Sequence, residues 1–184
     1  MNAPQNTAPV DFNGLSTQWL AQEKVLRARI VGKAGVATPE QVAGKTGFEL
    51  MQAMIAGDLP YPTIADTMDF CLIEVGQGSA TFQGTPQAKH LNPMGGTHGG
   101  WYATILDSAL GCAVHTTMQA GQGYTTAELS INIVRAAKTG QGPLRAIGTV
   151  LHSGRQLATA QAQIVDAAGK LYAHATTTCL VFSI

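Results

Sequence analysis

Residues 92–107 read NPMGGTHGGWYATILD, and this stretch decides how the rest of the sequence is interpreted. Its first half is rich in glycine, which is typical of a loop. From Trp101 the sequence is apolar on most of a helical circumference, and this pattern predicts a buried helix over residues 101–114. Asp107 stands inside that helix. The stretch therefore joins a glycine-rich helix start to a carboxylate in apolar surroundings.

Strand-like patterns flank the predicted helix on both sides. Upstream, two short strand patterns separated by a Gly-Gln-Gly turn predict a β-hairpin over residues 70–83. Downstream, four further strands are predicted, at residues 124–136, 144–152, 157–165 and 170–182. Two strands, one buried helix and four strands favour an α+β class, with an antiparallel sheet curled around a single helix, over a βαβ fold.

The N-terminal part of the chain follows different patterns. The first dozen or so residues have the composition of a mobile tail, and apolar spacing from Ser16 predicts a helix. A second helix opens at Thr38 with a cap-then-proline pattern and continues in broken form to Ile55. We therefore expect a tail and helical extension over residues 1–45 and a single domain over residues 46–184.

Composition narrows the classes of partner. Lysines and arginines number 11, as do aspartates and glutamates, so no nucleic-acid or anionic membrane partner is expected. The three cysteines and five histidines lack disulfide or metal-site spacing, so no metal is expected. No signal segment or long apolar run is present, which predicts a cytoplasmic protein. Only 12% of residues are charged, so burial of surface in an oligomer is expected.

The helix start and the carboxylate both suggest chemistry on a carbonyl group. Free N–H groups at the first turn, backed by the helix dipole, suit a developing oxyanion, so Gly99 or Gly100 is the expected donor, helped by the side chain of Asn92. Asp107 could act as a nucleophile or as a general base, and we favour the base. The alternative is structural. Asp107 would then belong to a polar stripe that simply faces water, with Thr104, Ser108 and His115.

The same residues carry a resemblance to a known family. Asn-x-x-Gly-x-x-His-Gly-Gly, from Asn92 to Gly100, followed seven residues later by Asp107, resembles the phenylacetate-degradation type of acyl-CoA thioesterase in the hotdog-fold superfamily. Gly154-Arg155 and Val165-Asp166-x-x-Gly169 look like closing strands of that family. The resemblance covers roughly residues 50–184. It implies a hotdog fold, in which an antiparallel sheet wraps around a central helix.

The resemblance also implies a reaction. Proteins of this type hydrolyse an acyl-CoA to free CoA and a carboxylic acid, with no cofactor beyond the coenzyme A of the substrate. A hydroxyl that orients the water is expected at Thr125 or Thr126, and we favour Thr126. Gly100 and Asp107 lie about 10 Å apart along one helix, so a two-fold dimer with composite sites is expected. The family often pairs such dimers into tetramers.

Other site residues are less sharply indicated. Arg155, Arg135 and Lys138 are the candidates for binding the CoA phosphates, although each also suits a solvated strand end. His98 is expected to be structural or to position the substrate. Two other functions stay open: a hotdog dehydratase or hydratase that uses His98 with Asp107, and a non-catalytic acyl-CoA binding protein. An acyl pocket could be walled by Trp101, Tyr102, Met94 and residues 59–64, which equally could be core.

Overall fold

A computed structural model describes residues 12–30 and 32–184. The helices are α1 (Phe12–Ile30), α2 (Pro39–Val42), α3 (Gly47–Ala56), α4 (Thr63–Met68) and α5 (Gly99–His115), with a 3-10 turn at Ala88–His90. The strands are β1 (Phe70–Gly76), β2 (Ser79–Gly84), β3 (Gln122–Ile133), β4 (Leu144–Ser153), β5 (Leu157–Val165) and β6 (Leu171–Ser183). Residues 1–11 of the predicted tail lie outside the described part, and α1 begins at Phe12 rather than at Ser16.

The six strands form one antiparallel sheet in the order β1-β2-β4-β5-β6-β3, and α5 packs against it. The predicted hotdog architecture is therefore confirmed. Helix α5 lies very close to the sheet, because a Cβ added to Gly148 would stand 2.3 Å from the carbonyl oxygen of Ala109. Ile105 and Leu106 are fully buried on the helix face that meets the strands. The core thus fixes the position of Asp107, which follows them.

The N-terminal helices agree only in part with the sequence patterns. The broken helix predicted from Thr38 to Ile55 is the pair α2 and α3, and Thr38 and Thr46 each form a capping box. The sequence does not predict helix α4, because residues 57–62 contain Gly and Pro and indicate only the end of the preceding helix. Pro62 is instead the residue that precedes the first turn of α4.

The two edges of the sheet differ. On the β1 edge, the side chain of Gln22 in α1 donates to the carbonyl oxygen of Ile73 at 3.4 Å. Arg27 donates to the carbonyl oxygen of Asp69, just before β1, at 3.2 Å. On the other edge, β3 pairs with β6 and has no second strand beside it within the described residues. Strand β3 ends at Ile133, whose side chain is 46% exposed.

Helix α1 is part of the same hydrophobic core as the sheet, since Leu26 and Ile30 join the cluster that contains Phe70 and α5. A boundary between residues 45 and 46 stays a prediction. No helix in the described part of the chain combines the length and apolarity needed to cross a membrane.

Candidate active site

Asp107 is half-buried on the side of α5 that faces β3. The hydroxyl of Thr126 donates a hydrogen bond to Oδ1 of Asp107 at 3.0 Å. Thr125 is exposed, as expected for the neighbouring position of a strand, and makes no such contact. A β-bulge follows Thr126. Within residues 12–30 and 32–184, Asp107 has no ion-pair partner, and no hydrogen bond reaches its Oδ2.

The other members of the predicted polar stripe are accounted for by the helix itself. Thr104 donates to the carbonyl oxygen of Gly100 and Ser108 to that of Thr104, both at 2.8 Å. The His115 ring packs on the ring of Tyr124, with centroids 5.4 Å apart. Asp107 is therefore the carboxylate of the stripe, and its Oδ2 accepts no hydrogen bond among the described residues.

The groups around Asp107 are neutral near pH 7. Burial, reinforced by the Asp107 carboxylate, raises the pKa of the Cys112 thiol to about 12. Burial also raises the pKa of Cys179, and it raises the pKa of Tyr124 well above its usual range. Sequence reasoning missed all three neighbours. Tyr124 could have been found from strand alternation, because it lies two residues before Thr126 and so shares its face.

The two glycines at the start of α5 have different roles. His98 is the N-cap residue, and its Nδ1 accepts the N–H of Gly100 at 2.9 Å. The carbonyl oxygen of His98 accepts the N–H of Trp101 at 3.0 Å. In the described part of the chain, the N–H of Gly99 has no acceptor. Of the two predicted oxyanion donors, Gly99 is thus the available one, because the N–H of Gly100 donates to the capping side chain of His98.

The space around the glycines supports the same division. A Cβ on Gly99 would meet only Cδ1 of Ile133 at 3.5 Å, an ordinary contact. A Cβ on Gly100 would stand 3.0 Å from Nδ1 of His98, which is tight. The fold therefore does not require glycine at position 99, whereas Gly100 leaves room for the capping imidazole.

Asn92 is fixed in the loop before α5. Its Oδ1 accepts the N–H groups of Met94 at 3.0 Å and Gly96 at 3.1 Å, and its own N–H donates to the carbonyl oxygen of Gly96 at 2.8 Å. These bonds orient the side-chain amide and leave Nδ2 without an acceptor among the described residues. Asn92 can thus present an N–H donor.

One chain therefore carries two half-sites at different levels of α5. The donor half-site consists of Asn92 and Gly99, and the carboxylate half-site consists of Asp107 and Thr126. Eight residues separate Gly99 from Asp107, which is about 12 Å along the helix axis. The two half-sites of one chain are too far apart to act on the same carbonyl carbon.

The predicted cations fall into two groups. Arg135 lies 5.9 Å over the Tyr172 ring and donates to the carbonyl oxygen of Leu171, and exposed Lys138 is close in sequence. Their segment adjoins the donor half-site, because Thr97 donates to the carbonyl oxygen of Ala137 at 2.9 Å.

Arg155 lies elsewhere. It is exposed in the turn between β4 and β5, beside Ser153, whose hydroxyl is 2.8 Å from that of Thr117 just past the end of α5. One chain therefore does not bring Arg155 together with Arg135 and Lys138.

Three of the residues considered for an acyl pocket do not form one together. Trp101 and Tyr102 are each 1% exposed and belong to the core, whereas Met94 is 91% exposed. Among the described residues, no group of three or more His, Cys, Asp and Glu side chains is arranged to hold a metal ion.

Comparison with known proteins identifies the family resemblance. Residues 94–173 match the family model of the thioesterase superfamily. That range contains Gly99, Asp107 and Thr126 but not Asn92, and it excludes α1 to α4. No curated protein matches the sequence.

Solved structures share the fold. A phenylacetic acid degradation-related protein of Ralstonia eutropha has 28% identity and a TM-score of 0.64, with 71% of this chain and 98% of that chain covered. A protein of Streptococcus mutans bound to acetyl CoA has 26% identity and a TM-score of 0.56, with 62% and 89% covered. The PaaI protein of E. coli, at 22% identity and a TM-score of 0.64, covers 74% and 94% and bears on the fold alone. The resemblance inferred from the sequence is confirmed.

Proposed function

We propose that this chain, whose residues 94–173 match the thioesterase superfamily, is an acyl-CoA thioesterase with composite sites in a two-fold dimer. The observation that carries the proposal is the pair of half-sites on α5. Among the residues that the structure describes, one holds a carboxylate with an available oxygen, and the other holds an N–H group with no acceptor. Hydrolysis of a thioester needs both a base and an oxyanion donor.

The open sheet edge supports the dimer, because β3 runs past both half-sites. Thr126 lies on β3, and Ile133 at its end is the nearest side chain to the Cβ position of Gly99. Two β3 strands related by a two-fold axis would pair antiparallel and lay the two α5 helices in opposite directions. Asp107 would then approach the partner subunit's Gly99, which yields two complete sites per dimer.

In the proposed reaction, Oδ2 of Asp107 accepts a proton from a water molecule while the water oxygen forms a bond to the thioester carbon. Thr126 holds the carboxylate through Oδ1. The carbonyl oxygen becomes an oxyanion that accepts hydrogen bonds from the partner subunit's Gly99 and the partner subunit's Asn92. The carbon–sulfur bond then breaks, and the proton on Asp107 passes to the CoA thiolate. The products are a carboxylic acid and free CoA.

A CoA ligand is supported by the acetyl CoA bound in the Streptococcus mutans structure. In the proposed dimer, the antiparallel α5 helices would bring Arg155, near the C-terminal end of one helix, towards the partner subunit's Lys138, near the N-terminal end of the other. Arg135 lies in the same segment as Lys138. Cations in these positions suit the phosphates of CoA.

The dehydratase hypothesis is less well supported by the geometry. Its base would be His98, but Nδ1 of His98 is occupied by the Gly100 N–H. Oxyanion donors and a single carboxylate favour a hydrolase. A non-catalytic binder has no need of an acceptor oxygen held in place by Thr126, so we propose the enzyme.

The test is release of CoA from acetyl-, hexanoyl-, dodecanoyl- and phenylacetyl-CoA by the native protein and by Asp107→Asn. We expect the variant to lose about 10²–10⁴-fold in kcat, because the amide cannot accept the proton. Asp58→Asn is the matched control, since Asp58 is exposed and its side chain makes no hydrogen bond within the described residues.

Two results would contradict the proposal. One is a folded native protein that cleaves none of these thioesters but binds them or adds water to crotonyl-CoA. The other is an Asp107→Asn variant with native activity.

A further inference from the structure

Two adjoining cavities lie between the N-terminal helices and the C-terminal end of α5. The larger, about 310 Å³, is lined by residues that include Val36, Val42, Leu50, Met54, Ile64 and His115. The second, about 250 Å³, shares Val42, Leu50 and His115 with it and reaches Tyr124 of β3. The two cavities are therefore neighbours, and together they are here named the N-terminal groove.

A seam between α5 and β3 leads from Asp107 to this groove. Asp107, Gly111 and His115 are spaced four apart on α5, so they lie in one row along the helix. Tyr124 and Thr126 alternate on β3 and share the face towards that row.

The row and the strand touch at three successive levels. Thr126 bonds Asp107. The Tyr124 hydroxyl lies 2.7 Å from where a Cβ on Gly111 would be. Lastly, the Tyr124 ring packs on His115. Helix α5 and strand β3 are thus in contact from the carboxylate to the edge of the groove.

The seam and the groove are almost free of charge. Burial raises the pKa of Tyr124 and lowers that of His115, so both are neutral at pH 7. Among the side chains that line the two cavities, that of Lys45 alone carries a charge, and its ammonium group donates to the carbonyl oxygen of Gln41 at 2.7 Å. Such a lining suits hydrocarbon and gives a polar ligand few partners.

The groove is attached firmly to the end of α5. The N–H of Gly47 donates to the carbonyl oxygen of Met118 at 3.0 Å, and a Cβ on Gly47 would overlap the carbonyl oxygen of His115 at 1.8 Å. Helix α3 therefore begins directly against the segment where α5 ends. Most of the groove walls come from residues 35–64, outside the range that matches the superfamily.

We propose that the N-terminal groove binds the acyl chain of the substrate, which makes extended, apolar, straight-chain acyl-CoAs the substrate class. This inference rests on the proposed function. The thioester would sit at Asp107, and the chain would lie over the seam, across Tyr124 and His115, because the seam itself is filled by packed side chains. Each methylene group that the groove buries then raises kcat/KM about fourfold until the groove is full.

The test fills the groove from its rim. Ile64 and Val36 line it and are 49% and 88% exposed, so Ile64→Trp and Val36→Trp place a large side chain there without disturbing the core. Val25→Trp is the matched control, because Val25 is 55% exposed on α1 and does not line the groove. The measurement is kcat/KM for acetyl-, hexanoyl- and dodecanoyl-CoA.

We expect native kcat/KM to rise with chain length. Ile64→Trp should lower the value for dodecanoyl-CoA at least about tenfold and leave that for acetyl-CoA unchanged. Val36→Trp should act in the same direction, and Val25→Trp should match native protein. An active native enzyme whose dodecanoyl-CoA hydrolysis is unaffected by both groove variants would overturn the groove assignment and leave the thioesterase proposal standing.

Failure of the proposed function looks different. If native protein cleaves no thioester, calorimetric binding of dodecanoyl-CoA and of CoA to the same variants decides the role of the groove. Tighter binding of dodecanoyl-CoA that Ile64→Trp abolishes supports the groove, and equal binding of the two ligands overturns it.

Discussion

The β1 and β3 edges of the sheet differ in whether another element covers them. The β1 edge is covered by α1, which donates side-chain hydrogen bonds to Ile73 and to Asp69 beside the strand. The β3 edge has no covering element among the described residues, yet it carries Thr126 and ends beside Gly99. An uncovered edge is a template for pairing with another chain. The chain thus covers one edge of its sheet with α1 and leaves open the edge that joins its half-sites.

Loss of the Gly99 N–H from the donor half-site should have the largest effect on kcat. Gly99→Pro removes the free N–H and little else, because proline is favoured at the first helical position and His98, with φ −64° and ψ 140°, has the extended backbone that precedes proline. We expect kcat to fall about 10²–10³-fold, as for loss of one oxyanion donor. Gly99→Ala keeps the N–H and should stay near native. Kinetics of both variants, with circular dichroism to verify folding, is the measurement.

Equal losses in Gly99→Pro and Gly99→Ala would contradict this role, since only the proline lacks the amide hydrogen.

If the open β3 edge joins two chains, variants of the two half-sites should complement each other. Gly99→Pro and Asp107→Asn subunits are each nearly inactive, but a mixed dimer would hold one intact site, formed by Asp107 of one chain and Gly99 of the other. Random pairing after co-expression makes half of the dimers mixed, so we expect about a quarter of native activity. Activity that stays at the level of the separate variants would place both half-sites in a single chain.

The β1 edge can be tested in the same molecule. Buried Glu23 of α1 accepts from Gln83 at 2.6 Å and from Arg27 at 2.7 Å, so Glu23→Ala leaves two donors without their acceptor. We expect the free energy of unfolding to fall by about 1–3 kcal/mol and kcat to stay unchanged. Urea unfolding measures it, and Lys24→Ala, on the exposed side of the same helix, is the control. A fall in kcat without a loss of stability would show that the covered edge serves the reaction.

The sequence predicts the regular parts of this molecule well, because local patterns determine them. Strand β5 occupies the predicted residues, and the apolar circumference that predicts a buried helix corresponds to α5. Sequence patterns do not predict α4. The helix follows a segment that contains prolines, and it packs against β1, a tertiary contact that local patterns do not show. Local sequence rules predict only that such a proline-containing segment ends a helix.

The sequence indicates the residues of both half-sites and a composite dimer site, but it leaves the local geometry of each half-site open. Whether Gly99 or Gly100 has the free N–H depends on where the His98 ring points, and whether Thr125 or Thr126 reaches Asp107 depends on the register of β3. The proximity of Tyr124 to Gly111 likewise depends on how the strand packs on the helix. Side-chain direction and strand register are tertiary properties, so one sequence leaves them open.

Loss of the Thr126 hydroxyl, on the open β3 edge, should cause the smallest of the expected losses in kcat. Thr126→Val keeps the shape of the side chain and removes the donor to Oδ1 of Asp107. A lost hydrogen bond to a charged group corresponds to about tenfold in kcat. Thr125→Val, at the exposed neighbouring position, should be silent, and Thr126→Ser should retain most of the activity because the hydroxyl remains. Since the two threonines differ only in which face of β3 they occupy, a loss in Thr125→Val instead of Thr126→Val would mean that β3 meets α5 in a register shifted by one residue.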